Sequence, residues 1–136
     1  MNNSESANSV ETKVRWFIDV DWYARNNRSF LFLARECLCP KCQKRLNKGK
    51  GQVTTDKLLT TIRDCCSDSR DFISPKLPIL ESVFRIFLAN ANQPLDAEEL
   101  LKELSERRGN TYSISAESLF RLLASDEYYG LSQVPG

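Results

Sequence analysis

The first clear pattern along the chain is an alternation of apolar and polar residues near its start. Every second residue from 14 to 22 is apolar: Val14, Trp16, Ile18, Val20 and Trp22. Alternation with a period of two, carried by β-branched and aromatic side chains, is typical of a half-buried strand. We therefore predict a strand that reaches at least Ile18. Beyond Asp19 the chain either stays extended or turns into a short helix through Tyr23 and Ala24.

Two helices are predicted next, one after Ser29 and one after Thr54 or Thr55. Serine and threonine favour such positions because the side-chain oxygen accepts a hydrogen bond from a free backbone N–H of the first turn. Between the two helices, residues 43–52 are rich in lysine and contain two glycines, which predicts a basic loop. The apolar side chains of the two helices are Phe30, Leu33 and Ala34 in the first and Leu58, Leu59 and Ile62 in the second.

Three further amphipathic helices are predicted from residue 78 onward. Pro78 opens the first, which runs to about Ala89. Asp96, with Glu99 three residues later, opens the second with a capping box, and this helix stops before Gly109. Ser115 caps the third. Their predicted core-facing residues are Ile79, Val83, Ile86 and Phe87, then Ala97, Leu100, Leu101 and Leu104, then Leu119, Phe120, Leu122 and Leu123.

The C-terminal half resembles a winged helix, most closely the HARE-type helix-turn-helix of bacterial RNA polymerase accessory subunits. The segments that carry the resemblance are LPILESVFRIFLANANQPLDAEEL, SAESLFRLL and YYGL, with residues 127–131 as a short strand and turn. It implies transcription-linked binding. The presumed recognition helix, residues 115–125, has Arg121 as its one cation and carries Glu117. A groove-reading helix is normally basic or amide-rich, so we expect this half to bind protein or to serve as a packing scaffold.

These patterns predict a mostly α fold with minor β structure. Residues 1–12 are rich in Asn, Ser and Glu and are expected to be a disordered leader, without the features of a signal peptide. We expect a small zinc-binding module over residues 13–74 and a winged-helix-like domain over residues 75–136. No apolar run is long enough to span a bilayer, and we expect a cytoplasmic protein in which thiols stay reduced.

Composition changes this picture through histidine, which is absent, and cysteine, which occurs five times. Without histidine, Ser-His-Asp and Cys-His catalysis and HExxH metal hydrolysis are excluded, and a transition-metal site must be built from thiolates. Cys39-Pro-Lys-Cys42 has the spacing of a zinc knuckle, and Cys65-Cys66 follows at the usual distance between two zinc half-sites. The N-terminal half therefore resembles a zinc-knuckle module with four cysteine ligands.

The favoured zinc ligands are Cys39, Cys42, Cys65 and Cys66. Adjacent cysteines diverge in a regular element, but at a helix end both can face one ion. Cys37 is an alternate ligand that could replace one of the four. Buried structural thiols, an iron–sulfur cluster and a redox dithiol are the other interpretations of the two clusters.

The net charge of +1 conceals an uneven distribution. Residues 1–55 contain ten basic and five acidic residues, whereas residues 76–136 contain six basic and nine acidic ones. No acidic residue lies between Cys37 and Thr55, and we expect the cations there to contact nucleic-acid phosphates. Arg25, Arg28 and Arg35 extend this candidate patch, and Trp16, Phe17, Trp22 or Tyr23 could stack on bases. The cations are Lys41, Lys44, Arg45, Lys48 and Lys50.

Together these features predict a non-enzymatic, zinc-binding accessory protein of the transcription or translation machinery. The basic zinc half would contact nucleic acid and the acidic winged-helix half would contact a protein of a polymerase- or ribosome-type complex. The alternative is a protein–protein interaction adaptor with purely structural zinc and no nucleic-acid binding. No nucleophile–base pair or phosphate loop is recognisable that would favour an enzyme or a small-molecule substrate.

Overall fold

The computed structural model describes residues 13–48, 53–109 and 114–135, which form a mostly α fold with minor β structure, as predicted. The predicted leader, residues 1–12, lies outside the described residues. The strands are β1 (Arg15–Ile18), β2 (Leu95–Asp96) and β3 (Leu131–Gln133). The α-helices are α1 (Val20–Arg25), α2 (Phe30–Arg35), α3 (Pro40–Lys48), α4 (Thr55–Asp64), α5 (Ile79–Ala89), α6 (Ala97–Arg108) and α7 (Ala116–Ala124), and a short 3₁₀ helix spans Cys66–Asp68.

The three strands form one antiparallel sheet in the order β2-β1-β3. Its central strand comes from the N-terminal half and both outer strands come from the C-terminal half. Trp16 and Ile18 of β1 are buried, at 2% and 1% exposure, which is the period-two face predicted for this strand. The strand ends at Ile18 because the Asp19 carboxylate accepts a hydrogen bond from the amide of Asp21 and starts α1.

The predicted capping residues are confirmed at the starts of α2, α4, α6 and α7 and at the end of α6. Ser29, Thr54 and Ser115 each accept a hydrogen bond from a backbone N–H of the first turn. Asp96 and Glu99 form both hydrogen bonds of the capping box, and Gly109 ends α6 with φ at +74°. These local interactions are predictable because they connect residues at most three positions apart.

Residues 43–48 are helical, so the prediction of a basic loop over 43–52 is wrong for this part. They belong to α3, while residues 49–52 lie outside the described residues. Pro40 suits a first helical position, and Cys42 is buried with the half-buried Leu46 one turn later on the same face. The glycines that suggested a loop follow the helix rather than interrupting it.

Two predictions about the C-terminal segment are also wrong. Leu122 is 37% exposed rather than part of the core. The final strand begins at Leu131, not at Glu127, because the Asp126 carboxylate accepts hydrogen bonds from the amides of Tyr128, Tyr129 and Leu131. The chain therefore forms a tight turn after α7, and β3 pairs with β1 rather than in a hairpin of its own.

Helix α5 is the shared centre of the molecule. Ser82, Val83, Phe84, Ile86, Phe87 and Leu88 are all buried, so this helix has core contacts on most sides. It packs against α4 and β1 from the N-terminal half and α6 from the C-terminal half. The two predicted modules thus contribute to one hydrophobic core.

Arg108, buried at the end of α6, holds the link between the predicted modules. Its guanidinium donates hydrogen bonds to the carbonyl oxygens of Ser74, Pro75 and Leu77 and to Oγ of Ser82. The segment around the predicted boundary at residues 74 and 75 is therefore fixed against α5 and α6. Among the described residues, no helix is both long and apolar enough to cross a membrane.

Asn92 joins β1 to the turn after α5. Its side-chain amide accepts a hydrogen bond from the Ile18 amide at 2.8 Å and donates one to the Ile18 carbonyl at 2.9 Å. The Asn92 side chain therefore provides the two hydrogen bonds that the backbone of a neighbouring strand would form with Ile18. The residue has φ of +59°, a left-handed conformation that asparagine tolerates better than most residues.

Replacing Asn92 by glycine should lower the free energy of unfolding by about 1–3 kcal/mol, because both hydrogen bonds are lost while the left-handed backbone remains allowed. Urea unfolding followed by circular dichroism measures this. Ala91→Gly is the matched control, since Ala91 is exposed and also has a positive φ. It should leave stability unchanged or slightly raise it. Equal stability of Asn92→Gly and the wild type would contradict this role.

Candidate metal centre

The sulfur atoms of Cys39, Cys42, Cys65 and Cys66 all lie within 4.8 Å of one another and could hold a metal ion. The first pair belongs to the start of α3, and the second to the junction between α4 and the 3₁₀ helix. The Cys42 and Cys65 sulfurs are 3.5 Å apart, as are those of Cys39 and Cys66. All five cysteines of the chain are free thiols.

The end of α4 explains how two adjacent cysteines reach one point. Cys65 leaves helical geometry, with φ of −130° and ψ of −63°, and Cys66 begins the 3₁₀ helix. This change of backbone direction turns two successive side chains toward the start of α3. The expectation that a helix end can present both residues to one ion agrees with this geometry.

Backbone amides stabilise negative charge on the sulfurs. The Cys42 amide donates to the Cys39 sulfur and lowers the pKa of Cys39 to about 7, and the amide of Cys39 itself lies 3.2 Å from the Cys66 sulfur. Arg45 adds a guanidinium 3.5 Å from the sulfur of Cys42. These donors favour the thiolate form, which is the form that binds metals.

Burial acts in the opposite direction on two of the four thiols. It raises the pKa of Cys42 to about 12 and also raises that of Cys66, because both are buried away from water that would solvate a thiolate. Without a positive ion, this cluster therefore keeps at least two of its protons at neutral pH. A divalent cation would replace those protons and supply the charge that a buried group of thiolates requires.

The separations fit a single tetrahedral ion. With metal–sulfur bonds of about 2.3 Å, the edges of a tetrahedral thiolate site are about 3.8 Å. A disulfide requires sulfurs at about 2.05 Å, and an iron–sulfur cluster holds its cysteines farther apart because the cluster itself occupies the centre. Two of the six sulfur separations are 3.5 Å and none exceeds 4.8 Å, a range that includes the tetrahedral value.

Cys37, the alternate ligand in the sequence analysis, is not in this group of four. Its sulfur lies 3.7 Å from the carbonyl oxygen of Leu33 in α2, and its side chain is buried. Burial raises its pKa to about 11, so it remains a neutral thiol. Cys37 is part of the core beside the cluster.

The predicted basic residues share one face of α3. Lys41, Lys44, Arg45 and Lys48 follow the spacing i, i+3, i+4 and i+7, and all four are exposed, whereas Lys50 lies outside the described residues. We call these four residues the basic stripe. Arg45 borders the buried face of the helix, because its guanidinium also reaches the Cys42 sulfur at 3.5 Å.

The other predicted contact residues differ in their surroundings. Arg25 pairs with Asp19 at 2.9 Å, whereas Arg35 donates to the side chain of Asn47 on α3 at 3.0 Å. Trp16 and Tyr23 are buried and thus cannot stack on a base, and Phe17 and Trp22 are half-buried.

The sequence analysis missed the two exposed aromatic residues of this region. Phe32 is 67% exposed and Tyr128 is 50% exposed. Phe32 lies within the apolar run Phe30–Leu33, and Tyr128 lies in a segment predicted as a strand. Neither pattern contained a signal for exposure.

No protein-family model matches the chain, and neither the curated proteins nor the solved structures contain a significant match. The resemblances to a winged helix and to a zinc-knuckle module therefore stay expectations from the sequence. The interpretation of the site depends on its own geometry.

Replacing Cys37 by alanine should leave the metal content of the purified protein unchanged, because its sulfur lies outside the group of four. Replacing Cys66 by serine should lower the content strongly, since one thiolate ligand is lost. Elemental mass spectrometry of the two variants and the wild type measures this difference. An equal loss in both variants would mean that Cys37 is a ligand.

Proposed function

We propose that this chain is a zinc-binding, non-enzymatic accessory protein of the transcription or translation machinery. In this proposal the N-terminal half contacts nucleic acid through the basic stripe, and the C-terminal half contacts protein. The main support for this proposal is the position of the basic stripe on a helix that begins at the thiol cluster. Its cations are therefore presented on a structured surface rather than on a mobile loop.

Zinc is the ion that best suits the four thiolates. Zinc binds sulfur ligands in a tetrahedral arrangement. It has no geometric preference from its d-electrons, so it accepts the positions in which the protein holds the four sulfurs. All four positions would be filled by cysteine, which is typical of a structural site rather than a catalytic one. We also expect a cytoplasmic location, because reducing conditions keep the ligands free of disulfides.

The role of zinc in this proposal is to attach α3 to the rest of the fold. The helix has nine residues, and of these Cys42 is buried and Leu46 is half-buried. A helix this short is marginal in water without tertiary contacts. An ion shared with Cys65 and Cys66 would join α3 to the end of α4, which packs on α5.

The basic stripe supplies the proposed contact with phosphates. Four cations on one helical face span about 10 Å at a rise of 1.5 Å per residue, which matches a few successive phosphates of a strand. Helix α3 contains no acidic residue that would neutralise them. Each cation that neutralises a phosphate would release a counterion and make binding sensitive to salt.

The proposed protein contact of the C-terminal half is supported by its charge and by α7. This half carries more acidic than basic residues, which opposes contact with phosphates. On α7, Arg121 and the apolar side chain of Leu122 are both exposed. Leu122 also favours the second candidate function, a protein-interaction adaptor with structural zinc alone.

Protein purified without added metal should contain about one zinc per chain, measured by elemental mass spectrometry. Since Cys42 and Cys66 are protonated at neutral pH without metal, zinc must displace at least two protons. The apparent zinc affinity should therefore fall by at least about 100-fold for each pH unit lowered, as measured by competition with a chelator. Iron in place of zinc, or affinity independent of pH, would contradict the proposed site.

Replacing Lys44 and Lys48 by alanine should weaken binding to short labelled DNA and RNA of random sequence. For duplex DNA, the slope of log affinity against log salt should become less negative by about 1.8, because each lost phosphate contact contributes about 0.9. Fluorescence anisotropy across a salt series measures the slope.

The matched control for this experiment is the replacement of Lys76 and Lys102 by alanine. Both lysines are exposed, both lie outside α3, and the change in net charge is the same. This control should keep the wild-type slope. Absence of wild-type binding at low salt, or equal effects of both double variants, would contradict the nucleic-acid contact and favour the adaptor.

A further inference from the structure

A groove that contains both apolar and cationic groups lies beside α2, outside the thiol cluster. It has a volume of about 270 Å³ and is lined by Tyr23, Arg28, Ser29, Phe32, Leu33 and Tyr128. Its walls include the two strongly exposed aromatic side chains, Phe32 and Tyr128. Arg28 is the charged side chain of this lining.

Arg28 lies between two aromatic rings. Its guanidinium carbon is 4.9 Å from the ring centre of Tyr128 and 5.5 Å from that of Trp22. Within the described ranges no carboxylate forms an ion pair with Arg28. Its guanidinium also donates a hydrogen bond to the Tyr128 carbonyl oxygen at 3.4 Å. The groove thus presents, between flat apolar surfaces, a positive charge that no carboxylate of the described residues neutralises.

The wall that carries Tyr128 is held rigidly. The Asp126 carboxylate accepts hydrogen bonds from the amides of Tyr128 and Tyr129, and the Tyr23 hydroxyl donates to the Tyr129 carbonyl at 2.6 Å. Gly130 has φ of +69°, and an added Cβ would lie 2.8 Å from the ring of Tyr23. This turn therefore positions Tyr128 before any ligand arrives.

Helix α2, which contributes Phe32 and Leu33 to the groove, is hydrogen-bonded to the helix that carries the basic stripe. Arg35 lies one turn after Phe32 on α2, and its guanidinium donates to the side chain of Asn47 on α3. Asn47 in turn lies between Lys44 and Lys48 in the sequence of α3. The exposed aromatic side chains of the groove and the cations of α2 and α3 therefore belong to elements that are in contact.

We propose that the groove and the basic stripe form one binding site for single-stranded nucleic acid. Unpaired bases would stack on Phe32 and Tyr128, while Arg28, Arg35 and the basic stripe would contact the backbone phosphates. In a duplex the bases are stacked on each other and cannot enter the groove. This inference rests on the proposed nucleic-acid contact and specifies the class of its ligand.

The acidic residues around the groove limit where the phosphates can pass. Glu36 follows Arg35 on α2 and Glu127 precedes Tyr128, and both are exposed. They repel phosphates from their own sides of the groove. A strand that follows Arg28, Arg35 and the basic stripe keeps its phosphates near cations. Exposed aromatic rings together with several cations suit a ligand with repeated charges and flat rings.

Replacing Phe32 by alanine tests this site with little effect on the fold, because most of this side chain is exposed. Binding of labelled oligothymidine to the full chain should weaken by about 5- to 150-fold, the effect of one lost stacked base. The slope of log affinity against log salt should not change, because an uncharged phenylalanine neutralises no phosphate and so causes no release of counterions. Phe32→Trp should retain binding, and Val20→Ala, which removes an exposed apolar side chain on α1, should have no effect.

The outcomes separate this inference from the proposed function. Loss of affinity on Phe32→Ala at an unchanged slope, with weaker binding of a duplex of the same length, supports the single-strand site. Equal affinity for single strand and duplex, with no effect of Phe32→Ala, overturns it and leaves the contact of the basic stripe intact. Absence of wild-type binding to both the single strand and the duplex overturns this inference and the proposed function. Binding of an acidic peptide in the groove without binding of oligothymidine overturns this inference alone when the duplex still binds.

Discussion

The position of helix α3 depends on the four cysteine sulfurs that meet between its start and the end of α4. Apart from Cys42 and Leu46, this helix consists of Pro40 and polar or cationic residues, so packing alone contributes little to its attachment. The sulfurs, the Cys39 amide that reaches Cys66, and the hydrogen bonds of Gln43 and Asn47 with Arg35 of α2 supply the contacts in its place. The same cluster therefore determines where the basic stripe faces solvent.

The rest of the described chain packs around α5, and this packing brings residues of both halves together beside α2 and α3. β1 lies at the centre of the sheet, Asn92 bonds to Ile18, and Arg108 fixes the link between the halves. Tyr128, from the C-terminal half, can therefore form a groove with Arg28 and Phe32 of the N-terminal half. A molecule with two independent modules would not hold these side chains in one constant arrangement.

Local interactions explain which predictions from the sequence are confirmed. The caps of α2, α4, α6 and α7 depend on residues within one turn, and all are found where the sequence predicts them. Helix α3 was missed because two glycines and many lysines resemble a loop, although residues 41, 44, 45 and 48 have helical spacing. Leu122 was misplaced because an apolar residue of an amphipathic helix can lie just beyond the buried face.

The amino-acid sequence by itself determined where α2, α4, α5, α6 and α7 begin, the strand at β1, the thiolate character of any transition-metal site and the two cysteine pairs. These properties depend on residue type and on short spacings. Only the tertiary structure decided that Cys37 lies outside the group of four, that β1 joins the sheet of the other half, and that Phe32 and Tyr128 flank Arg28. Each depends on residues far apart in the chain, whose contacts are set by the packing around α5 rather than by any local pattern.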